Sequence, residues 1–161
     1  PNLEKLKNCL DKWGHYSSPT DEYKEIIRSN NLKNVYFIEF KTKPILANYY
    51  KAADLFVLPT REDIWGLVIN EAMCYGLPVI TTDKCVAGVE LVEDNTNGYI
   101  IPNEDIYALS NAIKKILSDE ALSESMARAN IEKIKEYTIE AMAQRHIQIF
   151  SEVFKKESMN C

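Results

Sequence analysis

A chain of 161 residues, 46% hydrophobic and 27% charged, with five glycines and six prolines, is long enough to bury the core of one domain and too ordinary in composition to be disordered or collagen-like. Its net charge of −5 supplies no broad basic face, which argues against nucleic acid as a partner and makes any anion site a local one. Cys9, Cys74, Cys85 and Cys161 show no Cys-x-x-Cys spacing, and only His15 and His146 accompany them, so no metal site is expected. Reduced thiols point to a cytoplasmic compartment. No run reaches the roughly 18 apolar residues of a membrane span, and the first residues lack the layout of a signal peptide. The chain opens on Pro1 rather than Met, as a fragment would.

In chain order, Leu3, Leu6 and Leu10 stand at helical spacing, residues 14–20 (GHYSSPT) read as a loop, and residues 21–29 read as a helix. Val35 to Phe40 (VYFIEF) is a β-branched and aromatic run that predicts a strand. Residues 44–53 follow as a helix, with Pro44 in its first turn and Ile45, Leu46, Tyr49, Tyr50 and Ala53 on one face. LFVLP, PVITT and GYIIP, beginning at Leu55, Pro78 and Gly98, predict three more strands. All four are nearly continuous apolar runs, which suits a parallel sheet covered on both faces, and helix-length segments between strands make the class α/β. Residues 103–119, 120–136 and 138–155 are amphipathic helical stretches, the last with Thr138 as its cap.

The stretch EDIWGLVINEAMCYGLPVIT, Glu62 to Thr81, carries acids inside an apolar run. Between two strands it reads as a loop through Trp65, a helix from Gly66 or Leu67 to about Tyr75, and a stop at Gly76. Ligands of open parallel sheets bind beyond the carboxyl ends of the strands. There the amides of Leu67, Val68 and Ile69 would face an anion, with the helix dipole behind them and Gly66 permitting close approach. Glu71, one turn inside the helix, could accept hydrogen bonds from two vicinal hydroxyls, and Asp63 could reach a second polyol. The blander readings are a solvated loop acid for Asp63, a surface position for Glu71, and core roles for Trp65, Tyr49 and Tyr50.

Tyr49 to Pro102 closely resembles the donor-binding half of retaining glycosyltransferases of the GT-B type, family 4, which includes sucrose synthases and bacterial mannosyl- and glucosyltransferases. The resemblance rests on an acid, seven residues and EAM, then GLPVI, a glycine with ELV, and NG before a strand, all in order; it extends more loosely over residues 34–150. It implies a Rossmann-like parallel sheet with helices on both faces, the C-terminal half of a GT-B fold. Residues 1–161 would be a single nucleotide-sugar-binding domain, irregular and poorly matched over 1–33, with residues 138–155 as a helix that crosses back onto an N-terminal domain. The family's Glu-x7-Glu signature falls on Asp63 and Glu71, so its first position is shortened by a methylene; either the loop moves inward or Glu62 takes the part. By resemblance Glu71 binds the ribose hydroxyls and Asp63 faces the transferred sugar, and these two are the catalytic-site candidates. Gly66, Leu67 and Val68 contact the sugar or diphosphate through their amides. Phe40 and Lys41 contact the base, although Glu39 stands where the family favours glycine.

The implied reaction transfers a sugar from a UDP- or GDP-linked donor to an acceptor hydroxyl with retention, using no cofactor and no metal. The implied partners are the nucleotide sugar and an acceptor glycan or lipid held by an N-terminal domain that this chain does not contain. A membrane span is not implied; peripheral membrane association of a longer protein is compatible with the family, as is a role in polysaccharide biosynthesis. The family's glycine-arginine strand and lysine-glycine pair, which clamp the diphosphate, have no counterpart here, so truncation at the N-terminal strands is expected. The alternatives are a non-catalytic nucleotide-sugar-binding subunit that pairs with a separate acceptor-binding chain, and a relative on the same architecture such as an epimerase or phosphorylase.

Overall fold

The apolar runs at Phe56–Leu58 (β1), Val79–Thr82 (β2) and Gly98–Ile101 (β3) pair in parallel, in the order β1-β2-β3, in a computed structural model that describes residues 21–158. Phe56 lies opposite Val79, Val79 opposite Gly98, and Thr82 opposite Ile101. Successive strand residues point to opposite faces, and every position of β1 and β2 is buried, so both faces of the sheet are covered. The predicted helix of Leu3, Leu6 and Leu10, the loop at residues 14–20, and Cys9, His15 and Cys161 lie outside the described residues.

The helices are α1 (Asp21–Ser29), α2 (Lys43–Ala52), α3 (Leu67–Cys74), α4 (Val86–Leu91), α5 (Ile106–Ser118), α6 (Glu120–Ile134) and α7 (Ile139–Ser158), with a 3₁₀ turn at Lys135–Tyr137 between the last two. Their ends follow from local chemistry. The Asp105 and Asp119 carboxylates accept the backbone N–H of Ala108 and Leu122, and the Thr138 hydroxyl accepts that of Ala141, which caps three helices as side-chain oxygens at these positions do. Pro44 sits in the first turn of α2, where its missing N–H costs nothing. Gly76 ends α3 at φ +68°, a left-handed conformation that other residues resist. Ile69, Met73, Ile80, Leu91, Ile116 and Met126 form the center of the core.

The amino ends of the strands are locked by two asparagines. Asn130 on α6 is fully buried; its amide donates to the carbonyls of Leu77 at 2.7 Å and Asn97 at 2.9 Å, just ahead of β2 and β3. Asn97 in turn donates to the Leu91 carbonyl and accepts the Glu93 N–H. Beside them, a Cβ on Gly98 would come within 2.1 Å of the Val79 carbonyl oxygen, so any side chain there collides with the β2 backbone. Toward the carboxyl end of the sheet, the buried hydroxyls of Thr81 and Thr82 donate to the carbonyls of Leu58 and Thr60.

Among the described residues, Val35 to Phe40 pairs with none of the three strands. Ile106, the first residue of α5, is 76% exposed and stands at the rim. On α7 the predicted apolar stripe is present and uncovered: Ile139, Met142, Ile149, Phe150, Val153 and Phe154 are all exposed. Each large apolar side chain left in water forgoes roughly 1.5–3 kcal/mol of burial. Among the described residues no helix is long and apolar enough to cross a membrane.

Candidate functional site

The loop from Pro59 to Gly66 leaves the carboxyl end of β1 and is tied down along its length. The Thr60 hydroxyl donates to the Glu62 carbonyl at 2.8 Å, an interaction that leaves the Glu62 side chain exposed. The Asp63 N–H donates to the Lys84 carbonyl, the Asp63 carbonyl accepts the Val86 N–H, and the Ala87 N–H donates to the Trp65 carbonyl. This bridge to the start of α4 draws Asp63 inward until it is only 8% exposed. Asp63 is thus drawn inward while the neighbouring Glu62 side chain stays exposed. The solvated-acid reading of Asp63 is excluded by the same burial.

One Asp63 oxygen accepts the Trp65 N–H at 3.0 Å, closing a two-residue turn of the kind short acids favour. The other, Oδ2, is buried with no hydrogen-bond partner among the described residues. A buried carboxylate oxygen in that condition is costly unless something donates to it. Gly66 follows at φ +79° and caps α3. A Cβ there would lie 2.8 Å from the Cys85 sulfur and 3.7 Å from the Asp63 carboxyl carbon, so the glycine both permits the backbone turn and leaves room beside the acid.

Past Gly66 the first turn of α3 offers fewer amides than the sequence suggests. The Ile69 N–H donates to the Gly66 carbonyl at 2.8 Å and is committed to the helix. The amides of Leu67 and Val68 have no acceptor among the described residues, and the helix dipole adds partial positive charge at this end. Ile64 and Leu67 are large apolar side chains exposed at the same rim.

Glu71 lies one turn inside α3, half-buried, and accepts a hydrogen bond from the Tyr50 hydroxyl at 3.0 Å. It stands at the edge between core and solvent rather than fully in water. Tyr50 comes from the end of α2, 21 residues away, and the residue-by-residue pattern carried no sign of the pairing. Its neighbour Asn70 has a buried side-chain oxygen with no partner among the described residues. Trp65 packs against the core, as its bland reading has it, and Tyr50 does so while also touching a site residue. Phe40 and Lys41 lie just ahead of α2, with Phe40 73% exposed.

A cavity of about 300 Å³ at the carboxyl ends lies to one side of this cluster, between the loops after β1 and β3, where Arg61, Thr82, Ile101, Asn103, Asp105 and Ile106 line it. Arg61 there pairs with Glu104 at 2.9 Å, an exposed contact that contributes little. Among the described residues no three His, Cys, Asp or Glu side chains converge as a metal site.

The chain is 28% identical over 125 residues to the capsular polysaccharide biosynthesis glycosyltransferase CapM of Staphylococcus aureus, covering 78% of this chain and 32% of that protein. It therefore spans about a third of the length of the curated relatives it matches. Sucrose-phosphate synthase of Thermosynechococcus elongatus superposes with a TM-score of 0.75 at 26% identity, over 96% of this chain and 43% of that one. The C-terminal domain of the glycosyl transferase group 1 family protein LpcC of Francisella tularensis superposes at 0.69 and 22% identity, over 85% of this chain and 77% of that one, a likeness of fold. The fold is thus the Rossmann-like α/β architecture shared with GT-B glycosyltransferases. The family model for glycosyl transferases group 1 matches residues 16–133, beginning upstream of the first strand-like run and stopping short of α7, and with most of its length so matched the chain belongs to that family.

Proposed function

We propose that this chain is the donor-binding half of a retaining glycosyltransferase, family 4, which carries a sugar from a UDP- or GDP-linked donor to an acceptor hydroxyl. The observation that carries the reading is the turn at Gly66: two unpaired amides at a helix start, a buried acid before them and a half-buried acid one turn beyond. Amides at a helix N-terminus favour negative charge, so the Leu67 and Val68 N–H groups suit the diphosphate or an oxygen of the sugar. Carboxylates accept from hydroxyls, so Glu71 suits the ribose and the unpartnered Asp63 oxygen suits the transferred sugar. Phe40 and Lys41 border the base in this reading.

In the reaction, the bond from the anomeric carbon to the phosphate oxygen breaks and the bond to the acceptor oxygen forms on the same face, with the acceptor proton passing to the departing phosphate. The task of this half is to hold the donor and stabilise the leaving charge with positioned donors, which needs no carboxylate nucleophile, cofactor or metal. A separate acceptor-binding domain in the same, longer protein completes the enzyme, which works in the cytoplasm on an envelope or capsule glycan or lipid-linked acceptor. Calorimetric titration of the chain with UDP, GDP and ADP tests the reading. Binding of UDP or GDP supports it, and binding of none overturns it. The 161-residue chain alone gives no sugar transfer, and measurable transfer by it would show that this is not merely a donor half.

A further inference from the structure

Tyr50 is almost wholly buried, and a buried phenol needs a hydrogen-bond partner. Its partner is the Glu71 carboxylate, which accepts at 3.0 Å through Oε2. The ring itself is held from two sides. Tyr75, just past the end of α3, stacks on it with centroids 5.3 Å apart and planes 10° from parallel, and Phe56 of β1 meets it at 6.1 Å, tilted by 50°. Three elements thus fix one hydroxyl: the end of α2, the first residue of β1 and the end of the helix that carries Glu71 itself. A glutamate has three side-chain torsions, and the bond to a phenol fixed in this way restricts which of its rotamers is occupied.

We propose that Tyr50 is the positioning residue for Glu71, orienting its carboxylate toward the ribose hydroxyls of a nucleoside diphosphate before the ligand arrives. The proposal rests on the ribose reading of Glu71 given above. The phenol takes one Oε2 lone pair of the roughly four acceptor sites of a carboxylate, so this bond by itself does not block a pair of vicinal hydroxyls. The charge-assisted bond also sets the plane of the carboxylate, which is what bidentate recognition requires.

The test compares UDP with 2′-deoxy-UDP, and GDP with 2′-deoxy-GDP, by calorimetry on the 161-residue chain. The ratio of ribo to deoxy affinity reports on contacts to the ribose hydroxyls, whereas a merely structural defect weakens both nucleotides alike. Tyr50→Phe keeps the ring, its stack and its volume while deleting the hydroxyl. We expect the wild type to favour the ribonucleotide by about tenfold or more, the scale of one hydrogen bond to a charged group. In Tyr50→Phe that ratio falls at least about threefold, and Glu71→Gln/Tyr50→Phe is no worse than Glu71→Gln alone. Tyr75→Leu, which loosens the stack and leaves the hydroxyl, moves the ratio in the same direction by less, and it keeps the test decisive if Tyr50→Phe folds poorly. A wild-type ratio in Tyr50→Phe, or in Tyr75→Leu where Tyr50→Phe folds poorly, overturns the positioning role while leaving the ribose site standing. A wild type that binds neither nucleotide, or a Glu71→Gln chain with an unchanged ratio, overturns the ribose reading and the role of Tyr50 with it.

Discussion

The two ends of the sheet put their buried polar groups to different uses. At the amino end, the Asn130 amide nitrogen spans two carbonyls and Asn97 both donates and accepts, so the strands are held together at their roots, with Asn130 Oδ1 the one buried side-chain atom there that lacks a partner among the described residues. At the carboxyl end, a buried carboxylate oxygen and two helix amides are left without partners among the described residues. The amino end uses its polar groups to tie strand to strand, whereas the carboxyl end leaves two donors and a charged acceptor together at one rim, and such breaks concentrate where a ligand acts.

The contrast predicts that substitutions at the amino end change stability and those at the carboxyl end change binding. The largest effect belongs to Gly98→Ala, whose Cβ would sit 2.1 Å from the Val79 carbonyl oxygen. Neither backbone can yield without breaking the ladder, so a loss above about 4 kcal/mol and no cooperative melt by circular dichroism are expected. A near-normal melt would mean that β3 is not seated as described. Next comes Asn130→Ala, which leaves the Leu77 and Asn97 carbonyls buried without that donor, at about 3 kcal/mol in urea unfolding. If the cost is below about 1 kcal/mol, the amino end is not the lock described.

At the carboxyl end, Glu71→Gln should weaken nucleoside diphosphate binding by roughly 1.5–3 kcal/mol, while its unfolding midpoint barely moves because the amide oxygen still accepts from Tyr50. A large drop in stability with unchanged affinity would reverse the assignment and make Glu71 a structural residue. The smallest effect is that of Asp63→Asn on stability. The asparagine oxygen keeps the Trp65 N–H acceptor and a buried charge is removed, so the unfolding free energy should stay within about 1 kcal/mol of wild type. A larger loss would place Asp63 with Asn130 as part of the frame and erase the contrast between the ends.

Continuous apolar runs at Phe56, Val79 and Gly98 were legible as parallel strands because a strand covered on both faces needs no alternation. Gly66 and Gly76 marked the ends of α3 because their conformations favour glycine, and Asp63 and Glu71 stood out as acids in an apolar stretch. What the sequence hid was long-range. Asn130 looked like one more polar residue on an amphipathic helix, and only its position 53 and 33 residues from its two acceptors makes it a lock. The pairing of Tyr50 with Glu71 and the short helix α4 were likewise not visible, the first for its separation in sequence and the second because six residues carry too little periodicity to register. The use of the Ile69 amide within the helix depends on how far the first turn is wound, which no residue type announces.

The stitching of the loop after β1 changes what an arriving molecule meets. Its root is joined to β2 through the Thr82 hydroxyl, and further along it is bonded to residues 84, 86 and 87. Ordering a residue costs about 1–2 kcal/mol of conformational entropy, and for this segment that loss has already occurred during folding. A ligand docking on it therefore meets a stiff rim rather than a flap to be closed, and its affinity is not reduced by ordering the loop. The amide hydrogens of Asp63, Val86 and Ala87 should then exchange with solvent no faster than the sheet itself opens, while the Ile64 side chain at the tip of the same loop stays 89% exposed.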